Sequence, residues 1–362
     1  MNLTQKPIST EVNEMRVQRL FRQARIPLLC SALALGSAIF PGCAKSAGPD
    51  PDKPLVFRMG IVDGETSPVY AGARDIAENV ERNTDGKIKI VVVTGGALGD
   101  ERGSVELCSQ GDLDIASAAN SVLTNWIPEM SILDQAYLWE TEEQAHAAVD
   151  GPVGELIEQA AEEKLGVHVI GYLESGFRDT FTTTPVTTPE EFAGIKIRTM
   201  QNPYHMAAFE SFGAMPTAMA YNEVFTALQQ GTIDAAENAV SNCLSNGYYE
   251  VTKDVVFTKH AFTYIPVMMS DKSWNMIPED LRKPFEEGVR EGCIAQRQYL
   301  KETNEEAIEE LKKKGVTFHD IDTSVLKEKY QEAAKAKGFT FDPEWQAAVD
   351  EVLREHPAPS EE

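Results

Sequence analysis

Short apolar runs alternate with amphipathic stretches along the chain after its first fifty residues. Residues 55–59 and 88–93 predict buried strands because both runs are short, apolar and rich in β-branched side chains. Between them, residues 69–83 carry apolar side chains at helical spacing. A glycine-rich turn at residues 95–99 precedes another helix and a short strand at residues 115–118. This alternation predicts an α/β fold with a mostly parallel sheet.

A second series of the same kind begins near residues 167–172. Thr188 is suited to cap a helical turn that begins at the following proline. The alternating run at residues 195–198 predicts a strand that ends in Arg198, and helices and a further short strand follow it. Residues 278–314 predict one long charged helix, whose mixed-sign charges lie mostly on a solvated face.

Residues 1–47 have the pattern of an export signal and spacer. Four arginines precede an apolar stretch at residues 26–40, which is shorter than the roughly 20 residues of a membrane span. The following Pro-Gly-Cys loosely resembles a bacterial lipoprotein box. Two kinds of processing stay open, lipidation of Cys43 or ordinary cleavage near Ala44 or Ala47. Either way we expect the mature protein to work in the periplasm, possibly lipid-anchored.

The size and charge of the chain limit its partners. Its 362 residues are enough for about two domains. It has 57 acidic and 33 basic residues, for a formal net charge of -24. Nucleic-acid binding needs a basic stripe or patch, so we expect no nucleic-acid partner.

Three cysteines remain after Cys43, namely Cys108, Cys243 and Cys293. Their wide spacing makes neither a zinc site nor a disulfide framework. One bridged pair stays open. Buried free thiols are favoured, because cysteine packs well in apolar cores.

The sequence contains none of the catalytic motifs considered. Residues 95–99 lack both the Lys-Ser/Thr of a phosphate loop and the spacing of a dinucleotide fingerprint. No serine stands in a G-x-S-x-G elbow, and no two of the six histidines form an H-x-x-x-H pair. We therefore expect no catalytic residue, no metal and no cofactor.

Arg198 is the most informative single position. An arginine at the end of a strand can offer a planar fork of donors to a carboxylate. Most arginines at strand ends, however, are solvated or pair with surface acids. Spacing alone leaves both interpretations of Arg198 open.

Residues 194–242, which begin GIKIRTMQNPYH and end AENAVSN, resemble the signature region of one protein family. That family is the solute-binding proteins of tripartite ATP-independent periplasmic (TRAP) transporters, of the dicarboxylate or sugar-acid type. Other stretches resemble it too: LGDER at 98–102, AHAAVDGPVG at 145–154, GFRD at 176–179, PEEFAG at 189–194, and Ser270-x-x-x-Trp274. In this order they span roughly residues 55–322.

The resemblance implies three ligand-binding residues. The family's arginine after the G-[IL]-K-[IL] strand makes a bidentate bridge to the ligand carboxylate, and it falls on Arg198. A second family arginine, which helps to hold the carboxylate or its surroundings, falls on Arg178, with a structural ion pair as the alternative. The asparagine of the family's Q-E-N-P segment falls on Asn238. Here Ala239 replaces the proline, which puts the local loop shape in question.

Further candidates lie near the ends of predicted strands, because ligands of α/β sheets bind outside the carboxyl ends of strands. These candidates are Glu65, Ser67, Glu101, Asn120 and Tyr221. Tyr221 is expected to supply an apolar wall, with a position in the core as the alternative. His205 is expected to lie at the surface or to pack in the helix after Arg198.

The resemblance also implies the architecture and the partner. We expect two α/β lobes with a central ligand cleft and a long helix that bridges the lobes. Lobe I takes residues 54–174 and about 264–303, and lobe II takes 175–263 and about 304–357. Such a protein is expected to be a monomer that closes on its ligand by differential affinity and delivers it to a membrane permease of two subunits.

The expected ligand is an organic acid. Carboxylates such as Glu65 and Glu101 would accept hydroxyl donors and repel a second ligand carboxylate, which favours a sugar acid such as a hexuronate. The alternatives are a C4-dicarboxylate or other carboxylate binder of the same family, and a receptor that presents its ligand to a sensor kinase. A periplasmic α/β enzyme is disfavoured because the sequence shows no nucleophile–base pair and no metal cluster.

Overall fold

Two β-sheets with helices packed on them form the computed structural model, which describes residues 53–359. The predicted export signal and Cys43 lie outside the described residues. In chain order the strands are β1 (Leu55–Gly60), β2 (Ile88–Val93), β3 (Ile115–Ser117), β4 (Val167–Phe177), β5 (Asp179–Thr182), β6 (Lys196–Thr199), β7 (Met215–Ala218), β8 (Ala235–Asn238), β9 (Asp254–Phe257), β10 (Phe262–Ser270) and β11 (Thr317–Asp320).

Both sheets are mixed. The first has the order β2-β1-β3-β10-β4, in which β1 pairs parallel with β2 and β3 while β10 runs antiparallel to β3 and β4. The second has the order β11-β9-β5-β8-β6-β7, in which β5 runs antiparallel to β8 and β9. The expectation of a mostly parallel sheet is confirmed, because in each sheet a single strand, β10 or β5, runs against the others. These two strands are the ones that the chain enters when it crosses from one sheet to the other.

The chain crosses between the sheets at two adjacent places. Arg178 alone separates β4 of the first sheet from β5 of the second, and residues 258–261 separate β9 from β10. The two crossings are hydrogen-bonded to each other. The Arg178 N–H donates to the oxygen of Ala261 at 2.9 Å, and the His260 N–H donates to the oxygen of Arg178 at 3.3 Å. Arg178 is thus fixed where the sheets join.

The helices occupy the segments between these strands. They are α1 (Pro68–Asn83), α2 (Glu101–Ser109), α3 (Asn120–Leu123), α4 (Glu142–Val149), α5 (Pro152–Leu165), α6 (Pro203–Ser211), α7 (Val224–Gln229), α8 (Val240–Ser245), α9 (Asp271–Trp274), α10 (Glu279–Lys313), α11 (Thr323–Lys337) and α12 (Pro343–Glu355). Short 3₁₀ turns lie at Pro128–Asp134, Pro189–Phe192, Tyr221–Glu223 and Tyr248–Glu250.

The long helix α10 contacts elements of both sheets, as the predicted bridging helix should. It packs on α1 and β4 beside the first sheet and on α8 beside the second. Two glycines allow the close approach of α1. A Cβ on Gly288 would lie 2.7 Å from the backbone nitrogen of Val80, and one on Gly292 would lie 2.6 Å from that of Ile76. The two helices therefore touch backbone to backbone.

The last helix packs beside the first sheet, far from its neighbours in sequence. Helix α12 lies on α4 and α5, and Trp345 and Val349 belong to the same apolar cluster as residues of those helices. An apolar helix face is stabilised wherever a complementary apolar surface is free, whichever sheet is nearer in sequence. The lobe boundaries themselves stay a prediction.

The three cysteines of the described chain, Cys108, Cys243 and Cys293, are buried and free. Burial raises the pKa of each thiol to about 12, so these groups stay protonated and behave as small apolar side chains. No helix within residues 53–359 has the length and apolar character that a membrane span needs.

We expect Gly292→Ala to lower the free energy of unfolding by about 1–3 kcal/mol, because the added methyl group would press on the α1 backbone. Helix propensity alone would give the opposite sign, about 1 kcal/mol of stabilisation. Urea denaturation of both proteins measures the difference. The exposed Ala295→Gly change on α10 is the control and isolates the propensity effect. A more stable Gly292→Ala protein would refute the close contact.

Candidate functional site

A pocket lies at the carboxyl ends of strands from both sheets, where an α/β protein is expected to bind its ligand. It has an empty volume of about 360 Å³ and is lined by Val62, Asp63, Glu101, Ala119, Ser175, Arg178, Arg198, Met200, Tyr221, Asn238, Asn242, Thr263 and Ile265. A second pocket of about 300 Å³ adjoins it and shares Glu101, Arg198, Met200 and Tyr221. The lining is therefore mostly polar and contains groups of both charges.

Arg178 is buried and fully engaged by the protein. Its Nε contacts the carboxylate of Glu237, and its Nη2 donates to the backbone oxygen of Glu237 at 2.6 Å. Its Nη1 donates to Oδ1 of Asn238 at 3.1 Å and to Oγ1 of Thr263 at 3.2 Å. Because a buried charge is costly unless it is paired and hydrogen-bonded, this network holds the crossing segment firmly against β8.

Glu237 is the counter-ion of Arg178. Burial opposes the ionisation of Glu237, but the Arg178 guanidinium and a hydrogen bond from His260 outweigh it and hold the pKa of Glu237 well below its ordinary value. The other carboxylate oxygen, Oε1, is buried without a hydrogen bond, and Nη1 of Arg198 lies 3.9 Å from it. The carboxylate is therefore ionised and lies between two guanidinium groups.

Asn238 ends β8 and has its side chain oriented by four donors. Its Oδ1 accepts hydrogen bonds from Ser175, Arg178, Asn242 and its neighbouring backbone N–H at residue 239. Its Nδ2 has no hydrogen-bond partner within the described chain. Since Asn238 lines the pocket, this amide nitrogen remains as a donor for a ligand.

Ser175 reaches the pocket through an irregularity in β4. Tyr264 of β10 pairs with Glu174 and Thr263 pairs with Gly176, so Ser175 is an extra residue in its strand. Gly176 has a φ of +76°, which glycine adopts without strain. The bulge places the Ser175 hydroxyl 3.1 Å from Oδ1 of Asn238, where it helps to orient the amide.

Arg198 is the penultimate residue of β6, and one nitrogen of its guanidinium makes no hydrogen bond within the described chain. Its Nε and Nη2 donate to the backbone oxygen of Met219 at 3.0 and 2.8 Å. Its Nη1 makes no hydrogen bond within the described chain, although the side chain is only 4% exposed. Burial lowers the pKa of Arg198 despite the nearby carboxylate of Glu237. A buried, incompletely paired guanidinium of this kind favours an anionic ligand.

Carboxyl groups line another part of the pocket. Glu101 is the first residue of α2, which Asp100 caps, and its Oε1 accepts the N–H of Ala119 at 2.7 Å. Asp63 follows β1, and the Tyr221 hydroxyl lies 3.4 Å from its Oδ1. Burial raises the pKa of Glu101, and burial together with Glu101 raises the pKa of Asp63 to about 7. These groups can accept hydroxyl donors.

The structure brings five of the eight predicted ligand residues to this pocket, namely Arg178, Arg198, Asn238, Glu101 and Tyr221. It does not bring Glu65, Ser67 or Asn120 there. Glu65 is exposed, and Ser67 caps α1 by accepting the N–H of Tyr70. Asn120 is buried, where its side chain donates a hydrogen bond to Oδ1 of Asp134 and accepts one from the N–H of Tyr264. The side chain of Glu65 is therefore solvated, that of Ser67 caps a helix, and that of Asn120 makes hydrogen bonds inside the protein.

Sequence reasoning did not single out several lining residues, among them Asp63, Ser175, Asn242 and Thr263. The sequence could have indicated Asp63 as a lining residue, because it is the first acidic residue after the predicted first strand and stands two residues before Glu65. It could also have indicated Asn242, since this residue lies one helical turn after Asn238. Nothing in the sequence indicated Ser175, because the strand irregularity that exposes it depends on pairing with β10.

One group within the described chain has the composition of a metal site. Single side-chain atoms of His205, Glu237 and His260 lie within 4.8 Å of one another. Glu237 already forms an ion pair with the Arg178 guanidinium, whose positive charge would repel a metal cation at this place. His205 is buried rather than at the surface, with Nε2 placed 3.3 Å from Asp134. The arrangement therefore fits an ion-pair network better than a metal centre.

Comparison with known proteins identifies related chains. The sequence model of the family described as DctP, bacterial extracellular solute-binding protein, family 7, matches residues 59–338. The 2,3-diketo-L-gulonate-binding periplasmic protein YiaO of Escherichia coli K12 is 29% identical over 268 residues, which are 74% of this chain and 81% of YiaO.

Solved structures of the same kind have a similar fold. A TRAP periplasmic solute-binding protein from Polaromonas sp. JS666, bound to D-erythronate, superposes with a TM-score of 0.78 at 27% identity and covers 85% of this chain and 100% of its own. One from Citrobacter koseri, with bound D-glucuronate, has a TM-score of 0.76 at 27% identity and covers 82% of this chain and 98% of its own.

We expect Glu237→Gln to lower the free energy of unfolding by roughly 3–5 kcal/mol at neutral pH, because it leaves the buried Arg178 without its counter-ion. Chemical denaturation measures the loss. The exposed Glu210→Gln change, which removes a surface pair with Lys337, is the matched control and is expected to cost less than about 1 kcal/mol.

The pH dependence gives this prediction a second readout. The pKa of Glu237 is depressed by folding, so its stabilisation is present above the ordinary glutamate pKa and is lost as the pH falls below it. The stability difference between the native protein and Glu237→Gln should therefore shrink in acid. A difference that is small at neutral pH, or that grows in acid, would contradict the assigned role of the pair.

Proposed function

The chain belongs to bacterial extracellular solute-binding protein family 7, the periplasmic solute-binding proteins of TRAP transporters, and from that membership we propose that it captures a sugar acid through Arg198. TRAP solute-binding proteins work in the periplasm with membrane permease subunits. Beyond the family, we propose which residues hold the ligand and which class of acid is bound. We also propose that the protein binds this acid without converting it chemically.

The observation that carries the proposal is the state of Arg198. Its guanidinium is buried and its Nη1 lacks a hydrogen-bond partner within the described chain, while Nε and Nη2 are fixed by one backbone oxygen. A ligand carboxylate at Nη1 would complete the hydrogen bonding of the guanidinium group. Charge-assisted bonds of this kind contribute roughly 1.5–3 kcal/mol each.

Asn238 is the proposed second donor, and Arg178 is proposed to position it. The free Nδ2 of Asn238 can donate to the second carboxylate oxygen or to a neighbouring hydroxyl. Arg178 has given its donors to Glu237, Asn238 and Thr263, so it acts by orienting the amide rather than by holding the ligand. This assignment favours the structural ion pair among the two interpretations of Arg178.

A sugar acid is the proposed ligand class because the rest of the pocket suits hydroxyl groups. Glu101 and Asp63 are buried acceptors, and the Tyr221 ring and Met200 supply apolar surface between them and Arg198. Hydroxyl donors satisfy such acceptors, whereas a second ligand carboxylate would be repelled. The ligands named for two relatives, D-erythronate and D-glucuronate, are hydroxylated acids with a single carboxylate.

Capture without chemistry follows from the same groups. The polar side chains around the pocket are held by ion pairs and backbone hydrogen bonds, and no lining residue has a nucleophile–base arrangement. Contacts such as Thr66 to the oxygen of Ser245 and Tyr221 to Asp63 link loops of the first sheet to loops of the second. We propose that ligand stabilises this closed arrangement, with lobes as predicted except that α12 belongs to lobe I.

We expect the purified protein, after refolding to remove bound ligand, to be stabilised by sugar acids such as D-glucuronate. At a hundredfold excess over Kd the gain is about 2.7 kcal/mol. Arg198→Ala should weaken binding by about 3 kcal/mol, or roughly a hundredfold in Kd, because the carboxylate loses its buried counter-ion. Arg198→Lys should recover only part of this loss, because lysine lacks the planar fork.

A thermal-shift screen followed by calorimetry on hexuronates, aldonates, C4-dicarboxylates and aromatic acids measures these effects. The matched control is Arg74→Ala on α1, where an exposed arginine pairs with Asp75 and Glu78. This control should bind as the native protein does. Full affinity in Arg198→Ala would disprove the clamp, and no stabilisation of the native protein by any acid would disprove acid capture.

A further inference from the structure

Asp63 is a buried carboxyl group with little hydrogen-bond support. It lines the pocket just after β1 and is 7% exposed. The only side chain that hydrogen-bonds to it within the described chain is Tyr221, whose hydroxyl lies 3.4 Å from Oδ1. Asn246 donates to that hydroxyl at 2.7 Å, which directs the phenol proton towards Asp63. One long side-chain hydrogen bond and one from its own backbone therefore support a carboxyl group that is almost removed from water.

The charges around Asp63 are unbalanced. The titratable and charged groups that line the pocket with Asp63 are Glu101 of α2, Arg178 between β4 and β5, Arg198 of β6 and Tyr221. The phenol of Tyr248 also interacts with Asp63, and Glu237 of β8 is the counter-ion of Arg178. Glu237 is paired with Arg178, which leaves Arg198 as the cation for Asp63 and Glu101. Three carboxyl groups thus meet two guanidinium groups before any ligand enters, and a ligand carboxylate is a fourth.

The buried histidines do not correct this imbalance. Burial lowers the pKa of His260, so it adds no positive charge near neutral pH. His205 lies behind the pocket against Asp134, which is itself buried. A ligand anion therefore enters a water-poor site in which negative charge already exceeds positive charge.

We propose that Asp63 binds a proton when a ligand carboxylate enters the pocket, so that the capture of a singly charged acid is coupled to proton uptake. The inference rests on the proposed function and extends it, because it assigns the group that offsets the charge of the ligand.

Asp63, rather than Glu101, is the group that takes the proton. Glu101 accepts the N–H of Ala119 at 2.7 Å and is attracted by Arg198, and both interactions favour its ionised form. Asp63 has only the 3.4 Å contact with Tyr221 and a hydrogen bond from its own backbone, and no guanidinium group is paired with it within the described chain. Burial and repulsion from Glu101 already raise the pKa of Asp63 to about 7 in the ligand-free protein. A ligand anion raises it further, since like charges repel strongly in a water-poor site.

The consequence for binding has a definite sign. Above about pH 7 the free protein has Asp63 ionised, so binding must take up a proton and becomes weaker as the pH rises. Below that pH the group is already protonated, and the affinity no longer depends on its titration. A doubly charged acid brings a second negative charge that this single proton does not neutralise.

Calorimetry on the refolded protein tests the proposal, with D-glucuronate as the singly charged probe and succinate as the doubly charged one. Binding at pH 7.5 is measured in buffers of different ionisation enthalpy. The native protein should take up close to one proton with D-glucuronate, and Kd should rise by up to about tenfold per pH unit above pH 7. This measurement needs no variant.

Asp63→Asn keeps an oxygen acceptor for Tyr221 but does not titrate. It should bind D-glucuronate without proton uptake, and its Kd should not rise above pH 7 as that of the native protein does. Its preference for D-glucuronate over succinate should be retained, because the neutral amide has the charge of the protonated carboxyl group. Asp350→Asn, an exposed change on α12, is the matched control and should show the native proton uptake and the native pH dependence. Cooperative thermal unfolding of each variant checks that it is folded.

The outcomes separate this inference from the proposed function. D-glucuronate binding by the native protein without proton uptake would overturn the role of Asp63 and leave the Arg198 clamp intact. Unchanged proton uptake, or an unchanged rise of Kd above pH 7, in a folded Asp63→Asn protein would overturn it as well. If neither probe nor any other acid binds the native protein, the proposed function fails and this inference fails with it.

Discussion

The buried ion pair between Arg178 and Glu237 is the interaction on which the pocket depends. Arg178 is the single residue between β4 of the first sheet and β5 of the second, and Glu237 belongs to β8 of the second sheet. His260, in the other crossing segment, donates to the same carboxylate. A buried charge is tolerated only with its partners in place, so satisfying this pair fixes both crossings relative to β8. Asn238, the next residue in β8, is placed by the same contacts.

The two arginines of the pocket are in different states, although both are buried. Arg178 has protein partners for Nε, Nη1 and Nη2, whereas Arg198 leaves Nη1 without a hydrogen bond within the described chain. The first contributes to the stability of the fold, and the second holds a charge that the fold does not fully compensate. Incomplete compensation of a preorganised cation is what gives such a site its affinity for an anion.

In the proposed function, the acidic side of the pocket limits which anion is accepted. Asp63 and Glu101 lie there, and hydrogen bonds from Asn246 to Tyr221 and from Tyr221 to Asp63 connect the loops of the two sheets at the same place. The proposed closure and the proposed selectivity would therefore involve the same side chains. A ligand that leaves the charge imbalance in place would also oppose closure of the loops over it.

The sequence by itself determined the strand–helix alternation, the long helix near residues 278–314, and the family. It also predicted Arg198, Arg178, Asn238, Glu101 and Tyr221, all of which line the pocket. The fold class and the family are confirmed because local periodicity and contiguous motifs are readable along the chain. The ligand roles of these residues stay a prediction.

Only the tertiary structure decided the mixed sheets, the packing of α12 on α4 and α5, and the separation of Glu65, Ser67 and Asn120 from the pocket. It also revealed Asp63 and Ser175 as lining residues, the latter through a strand bulge. Whether a polar side chain caps a helix, faces solvent or enters a pocket depends on partners that are distant in sequence. Local pattern does not contain that information, because burial and hydrogen-bond pairing are properties of the assembled chain.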